Sequence, residues 1–141
     1  MVSAISCERP DSQERFIKTS DMTEDSLFVY TLDMSDSLYT YSISLFTKID
    51  SEEEALGDIE IDAIFKSPSE RLYQDRIILP SAKFYKSAYF SQELMEEYRT
   101  GIAPVEYGKW YMVLKLVNMP DGLLGMGVKL QRDKVLIDGK R

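Results

Sequence analysis

The segment that most constrains the architecture is Tyr107–Arg132, which reads YGKWYMVLKLVNMPDGLLGMGVKLQR. Its first half alternates apolar with other side chains, and the alternating apolar set is Trp110, Met112, Leu114 and Leu116. Pro120 presets the backbone torsion that the first corner of a turn requires, and Gly122 accepts the positive torsion that closes a bulged hairpin. The segment therefore predicts two β-strands joined by a tight turn.

Composition limits the class of protein. The chain has 141 residues, 44% of them hydrophobic, which is enough for one domain with an apolar core. The net charge of −7 repels phosphate backbones, so nucleic acid is not an expected partner. There is no histidine, and most hydrolase and zinc-site templates depend on that residue. No apolar run approaches the roughly 20 residues that span a bilayer.

Several further segments have the pattern of strands. Leu27–Leu32 is rich in aromatic and branched residues, while Tyr39–Leu45 and Ile59–Phe65 alternate apolar and polar residues with a period of two. Leu72–Leu79 mixes apolar and polar residues on both faces, and Lys83–Phe90 is a short candidate. These intervals predict several strands separated by turns.

One helix and one tether complete the expected organisation. Ser91 can cap a helix that presents Leu94, Met95 and Tyr98 on one side and ends at Gly101. Residues 8–25 are mostly charged or hydroxylated, which is typical of a loosely held arm. We therefore expect a polar tether over residues 1–25, followed by an all-β antiparallel β-sandwich with one short helix over residues 26–141.

The acidic side chains offer two catalytic or metal-binding hypotheses. A loop containing Asp50, Glu52, Glu53, Glu54 and Asp58 has oxygen ligands for calcium, but its spacing matches no EF-hand and a solvated turn explains it. Glu60 and Asp62 resemble a carboxylate pair for glycoside hydrolysis, yet strand alternation already places them on a wetted face. No metal site, cofactor or catalytic residue is predicted.

Apolar and aromatic residues outside regular strand patterns are candidates for contact with a partner. Met119, Leu123, Leu124 and Met126 cluster around the Pro120–Gly122 turn, where they either bind a partner or fold back to close one end of the sandwich. Tyr85 and Tyr89, in the least regular strand, are candidates for stacking against a sugar ring.

The single cysteine, Cys7, follows Ala4-Ile5-Ser6, an approximate lipobox in which a small residue precedes a cysteine that becomes lipidated after signal cleavage. Cys7 is therefore the candidate acylation site, and the polar residues after it are a spacer from the membrane. The alternative is an ordinary exposed thiol, because one cysteine cannot form an internal disulfide.

Four blocks of strand and turn residues follow Cys7 and its spacer in a fixed order: Ser37–Leu45, Lys66–Ser69 with Asp75, Tyr107–Tyr111 and Gly122–Val128. This order resembles the GldH gliding-motility lipoproteins of Bacteroidetes over nearly the whole chain. Residues 46–49, FTKI, stand where that family has an arginine and a Tyr-Pro pair.

The resemblance implies a non-enzymatic lipoprotein that acts through protein–protein contacts with other envelope proteins. It implies a periplasmic or outer-membrane location in a Gram-negative bacterium, with a lipid anchor as the sole membrane attachment and a signal peptide that is absent from this chain. The alternative is a carbohydrate-binding β-sandwich surface lipoprotein that holds a glycan through Tyr85 or Tyr89. An enzyme is the third interpretation.

Overall fold

The computed structural model describes residues 12–50, 58–80, 85–88, 91–120 and 122–135. These residues form nine strands and one 3₁₀ turn, Thr19–Asp21. The strands are β1 Ser12–Lys18, β2 Phe28–Met34, β3 Tyr39–Asp50, β4 Ile59–Lys66, β5 Leu72–Leu79, β6 Tyr85–Ala88, β7 Ser91–Ile102, β8 Gly108–Leu116 and β9 Leu123–Val135.

The strands form two antiparallel sheets. One has five strands in the order β1-β9-β3-β7-β6, and the other has four in the order β2-β8-β4-β5. The inward side chains of both sheets belong to one continuous hydrophobic cluster. The predicted antiparallel β-sandwich is therefore confirmed.

The buried side chains alternate along the strands, as the sequence predicted. In β3 the odd residues from Tyr41 to Ile49 are buried, and in β8 the even residues from Trp110 to Leu116 are buried. The predicted strands over Leu27–Leu32, Ile59–Phe65 and Leu72–Leu79 are confirmed as β2, β4 and β5. Because β3 and β8 belong to different sheets, their apolar faces enclose a common interior.

The predicted helix over Ser91–Gly101 is wrong. These residues lie in β7, a strand that pairs with β3 from Asp50↔Ser91 to Tyr41↔Ile102. Leu94 is buried and Tyr98 packs against the core, whereas Met95 is exposed. Residues four positions apart share a face in a helix and also in a strand, so the spacing of Leu94 and Tyr98 fits both.

The predicted hairpin is also wrong, although both of its strands are present. β8 pairs with β2 and β4, while β9 pairs with β1 and β3 in the opposite sheet. The connection is therefore an arch between sheets. Gly122 has a φ of 81°, and its carbonyl accepts a hydrogen bond from the Asp50 amide at 2.7 Å. Any side chain at Gly122 would overlap the Asp50 carbonyl, so glycine is required for this close approach.

The expected tether differs from the structure over its described part. Residues 12–18 form β1, which pairs with β9 along its whole length, and Ile17 is buried in the core. The charged side chains of this segment, Glu14, Arg15 and Lys18, lie on a sheet edge instead of in a loose arm. Cys7 lies outside the described residues.

Two aromatic rings cover the outer face of β9. Phe16 and Phe46 stack with their centroids 5.8 Å apart, and a Cβ at Gly127 would overlap the Phe46 ring. A Cβ at Gly125 would lie 2.5 Å from the Ile17 carbonyl oxygen. Glycine at these positions therefore lets flanking strands and rings lie close to β9.

We predict that Gly127→Ala lowers the free energy of unfolding by about 1–3 kcal/mol, because the added methyl group displaces the Phe46 ring. In a Phe46→Ala background the same change should have much less effect, because the obstructing ring is gone. Urea unfolding of the four proteins in a double-mutant cycle measures this difference. An equal loss of unfolding free energy in both backgrounds would show that the Phe46 ring is not what obstructs a side chain at position 127.

Candidate binding cleft between the sheets

A cleft of about 420 Å³ opens between the two sheets on the side where β5 and β7 approach each other. Side chains from β2, β3, β4, β5, β7 and β8 line it, together with the loop Ala103–Val105. Its volume falls within the roughly 300–1,000 Å³ of ligand pockets. Four of the lining side chains are aromatic: Phe65, Tyr73, Tyr98 and Trp110.

The aromatic rings form two pairs at the cleft. Phe65 and Tyr98 come from opposite sheets and stack nearly parallel, at 8°, with centroids 6.0 Å apart. Tyr73 and Trp110 come from the same sheet and are tilted by 35°, at 5.8 Å. Trp110 is nearly buried, whereas Tyr73 is 40% exposed. The pairs provide a rigid apolar wall with an accessible ring at the opening.

Asp75 connects the two sheets at the mouth of the cleft. Its Oδ2 accepts hydrogen bonds from the Tyr98 hydroxyl at 2.5 Å and from Arg99 Nη2 at 3.0 Å, and its Oδ1 accepts the Arg76 amide at 2.9 Å. The Tyr98 hydrogen bond, followed by that of Arg99, holds the pKa of Asp75 below its ordinary value. Burial, and then the bond to Asp75, raises the pKa of Tyr98. Asp75 is therefore an ionised acceptor with its main donors already in place.

The loop beside the cleft is fixed by its own polar contacts. Trp110 Nε1 donates a hydrogen bond to the Glu106 carbonyl at 2.9 Å. The Glu106 carboxylate accepts the Ser69 amide at 3.0 Å and the Ser69 hydroxyl at 2.7 Å, and the latter bond lowers the pKa of Glu106 most. These contacts hold the loop before β8 against the turn between β4 and β5.

The predicted carboxylate pair, Glu60 and Asp62, has a structural partner. Glu60 and Asp62 both bind Arg76, at 2.9 and 2.6 Å, on the exposed face of the four-stranded sheet. Residues 51–57 of the acidic loop lie outside the described residues. Within the described ranges, no group of three or more acidic, cysteine or histidine side chains is arranged to hold a metal ion.

The four residues predicted around the Pro120–Gly122 turn divide into two pairs. Leu123 and Met126 are buried in the core, whereas Met119 and Leu124 are each 39% exposed. The buried pair belongs to the core, and the exposed pair remains a candidate contact. The stacking candidates are not placed, because the Tyr85 side chain and all of Tyr89 lie outside the described residues.

Sequence reasoning did not identify the cleft residues as a group. A signal was present in β5, where Tyr73 and Asp75 share the inward register of the buried Ile77 and Leu79. A carboxylate and a phenol at inward positions interrupt an apolar face, as polar groups in a binding site do. The predicted helix over Ser91–Gly101 contains their partners Tyr98 and Arg99, so the sequence pattern does not bring the four residues together.

Comparison with known proteins does not assign the chain to a family. No protein-family model matches it, and no curated protein sequence matches it. Among the helices that the structure describes, none has the length and apolarity needed to cross a membrane.

We predict an acid-dependent loss of stability through Asp75. Its folded-state pKa lies below the ordinary value of 3.8, so the ionised carboxylate stabilises the fold above that pH. The stabilisation is lost as the pH falls through the folded-state pKa. Melting temperatures should therefore separate wild type from Asp75→Asn at pH 6 and converge towards pH 2.

Tyr98→Phe serves as the matched variant for this experiment, because it removes only the hydroxyl that lowers the Asp75 pKa most. In the Tyr98→Phe background, the difference in melting temperature between Asp75 and Asp75→Asn should change less with pH than it does in wild type. A constant difference from pH 6 to pH 2 would show that the Asp75 contacts do not stabilise the fold.

Proposed function

We propose that this protein is a non-catalytic binding protein of the bacterial envelope, which takes an apolar side chain of a partner protein into the cleft between its sheets. The observation that carries the proposal is the aromatic lining contributed by both sheets, including the stacked pair Phe65 and Tyr98. Large apolar side chains that enter such pockets account for most of the affinity at many protein interfaces.

The ionisable groups support binding over chemistry. Asp75, Tyr98 and Arg99 are hydrogen-bonded to one another at the mouth, with Asp75 ionised and Tyr98 holding its proton. General acid–base work favours a group whose pKa lies near the operating pH. The pKa of Asp75 is lowered and the pKa of Tyr98 is raised, so both move away from neutral pH. Groups of this kind suit a fixed polar rim around an apolar site.

The envelope location rests on the resemblance to GldH lipoproteins and on Cys7 with its preceding small residues. In this proposal a lipid on Cys7 anchors the chain, and β1 begins a few residues later. The exposed Met119 and Leu124 provide a second, smaller contact.

Mass spectrometry tests the anchor. We expect protein expressed with its native upstream gene region to be recovered in the membrane fraction with Cys7 acylated at a new N-terminus. An unmodified Cys7 in purely soluble material would contradict the anchor and leave the cleft proposal intact.

Photocrosslinking in the organism that carries the gene tests the cleft. Benzoylphenylalanine replaces Val105, which lines the cleft and is 74% exposed, and a control protein carries it at Thr31, an exposed position on β2. We expect a discrete crosslinked partner from position 105 alone. Ala103→Phe, which fills the cleft from an exposed position, should abolish that product.

A crosslinked product that is unaffected by Ala103→Phe would contradict binding in the cleft. Thr31→Phe is the matched control for the added ring, and it should leave the product unchanged. Circular dichroism melting of both variants establishes that each remains folded.

A glycan ligand is the second candidate. Tyr73 offers a ring at the mouth, and Gln74, Asp75 and Arg99 provide planar polar groups beside it. Sugar binding would use this arrangement in place of the unplaced Tyr85 and Tyr89. A glycan array with wild type and Tyr73→Ala distinguishes the two: saturable binding that Tyr73→Ala removes would favour the sugar.

A further inference from the structure

A β-bulge directs two consecutive side chains of β7 towards the mouth of the cleft. Glu97 and Arg99, on either side of Tyr98, pair with two adjacent residues of β3, so Tyr98 is the extra residue of the bulge. Successive side chains of a regular strand point to opposite faces. Here, however, Tyr98 and Arg99 both bind Asp75 of the opposite sheet. The bulge therefore places a phenol and a guanidinium side by side at the opening.

Arg99 has unused hydrogen-bond donors at this opening. Its Nη2 donates to Asp75 Oδ2 at 3.0 Å, and the Tyr98 hydroxyl is its other hydrogen-bond acceptor. These two acceptors leave about three of the five N–H groups of the guanidinium without an acceptor among the described residues. The Arg99 side chain is 59% exposed, so an incoming molecule can reach these groups.

The other charged group of the cleft has little hydrogen-bonding capacity left. Asp75 and Arg99 are the charged residues that line the cleft. Asp75 accepts two hydrogen bonds at Oδ2 and the Arg76 amide at Oδ1, which leaves about one of its four acceptor positions. The unused capacity of the two charged groups is therefore mainly that of donors, and it favours a ligand group rich in acceptors.

A carboxylate matches the free edge of Arg99. The planar fork of a guanidinium binds the two oxygens of a carboxylate with two parallel hydrogen bonds. The contact with Asp75 holds the Arg99 side chain before a ligand arrives, which lowers the entropy cost of binding. The Phe65 and Trp110 rings line the same cleft. The arrangement therefore suits a ligand that carries a carboxylate and a large apolar group on one short stem.

The C-terminal residue of a polypeptide has this composition, because its α-carboxylate and its side chain share one Cα. Two exposed apolar side chains also line the opening: Tyr73 is 40% exposed and Val105 is 74% exposed. Residues that precede the C-terminal one would cover this surface, whereas a small free acid held inside the cleft would leave it in water. A chain end is therefore favoured over a free carboxylic acid.

We propose that the partner is bound by its C-terminus, with the terminal α-carboxylate on Arg99 and the large apolar side chain of the terminal residue in the aromatic cleft. This inference rests on the proposed function and specifies which residue of the partner enters. Capture of a C-terminal carboxylate is a recurring mode of peptide recognition. Asp75 and Tyr98 are positioning residues, since they hold the guanidinium at the mouth.

Acetylated tetrapeptides with the sequence glycine-serine-glycine-phenylalanine are the probe, with a second series that ends in leucine. Trp110, the sole tryptophan, lines the cleft, so its emission and titration calorimetry both measure binding. We expect saturable binding of the free acid and at least about tenfold weaker binding of the C-terminal amide, because the charge-assisted hydrogen bonds are lost. Two glycines added after the terminal residue should weaken binding as much, because they displace the carboxylate.

Arg99→Gln tests the assignment of the carboxylate contact. We expect this variant to bind the acid and the amide with affinities within about twofold of each other, because the bidentate donor is gone. Arg76→Gln is the matched control, since it removes a guanidinium of similar exposure that binds Glu60 and Asp62 on the outer face of the sheet. It should retain the wild-type preference for the acid. Circular dichroism melting establishes that both variants are folded.

Equal binding of acid and amide by wild type, or a preference that persists in Arg99→Gln, would overturn C-terminal capture and leave apolar side-chain binding intact. Binding of 3-phenylpropionate as tight as that of the tetrapeptide would identify a free acid and overturn the assignment to a chain end. If no peptide of either series bound, C-terminal capture would be wrong, while the crosslinking from Val105 would still decide the cleft function separately.

Discussion

The dry interior shared by the two sheets is the constraint on which the rest of the molecule depends. Alternating side chains from β3 and β8 face each other across this interior, and the chain crosses from one sheet to the other between β8 and β9. The Tyr30 hydroxyl, on β2, donates a hydrogen bond to the Met126 carbonyl, on β9, at 2.6 Å. Burial raises the Tyr30 pKa, so the phenol stays protonated and remains a donor between the sheets.

The two sides of the sandwich differ because their inward side chains differ. Near β1 and β2 the interior contains the buried Tyr30, Leu32, Val128 and Leu130, and the opening on that side is smaller, at about 290 Å³. Near β5 and β7 the inward positions change from Ile77 and Leu79 to Asp75 and Tyr73, and the cleft lies beside these two residues. The Asp75, Tyr98 and Arg99 contacts then hold this side at its spacing. A change of residue type along one strand thus converts part of a packed core into a site that can receive another molecule.

The fold was largely predictable because burial on one face imposes a period of two. Tyr39–Leu45 and Ile59–Phe65 have that period, and both are strands with the expected faces. The neighbours of each strand in its sheet were not predictable from the same pattern. Alternation indicates which face of a strand is buried, but it does not indicate which strand lies beside it. Pro120 and Gly122 correctly indicated a turn, but Gly122 serves a close approach to Asp50 instead of a hairpin.

The cleft was harder to predict from the sequence than the fold, because its residues are distant along the chain. Tyr73 and Asp75 meet Tyr98 and Arg99 only after two sheets have formed, and no short motif contains all four. The helix predicted over Ser91–Gly101 contains Tyr98 and Arg99, and a helix there does not bring them to Tyr73 and Asp75. Inward polar residues on an otherwise apolar strand face, as in β5, were the local indication of a site.

A nuclear Overhauser spectrum of the labelled protein tests the central claim that β8 and β9 belong to separate sheets and that an aromatic cleft lies on the β5 side. The account predicts cross-peaks between the Phe65 and Tyr98 rings, and backbone contacts of Tyr111 with Thr31 and of Leu130 with Ile43. Backbone contacts in a continuous ladder between β8 and β9, without the Phe65–Tyr98 peaks, would contradict it.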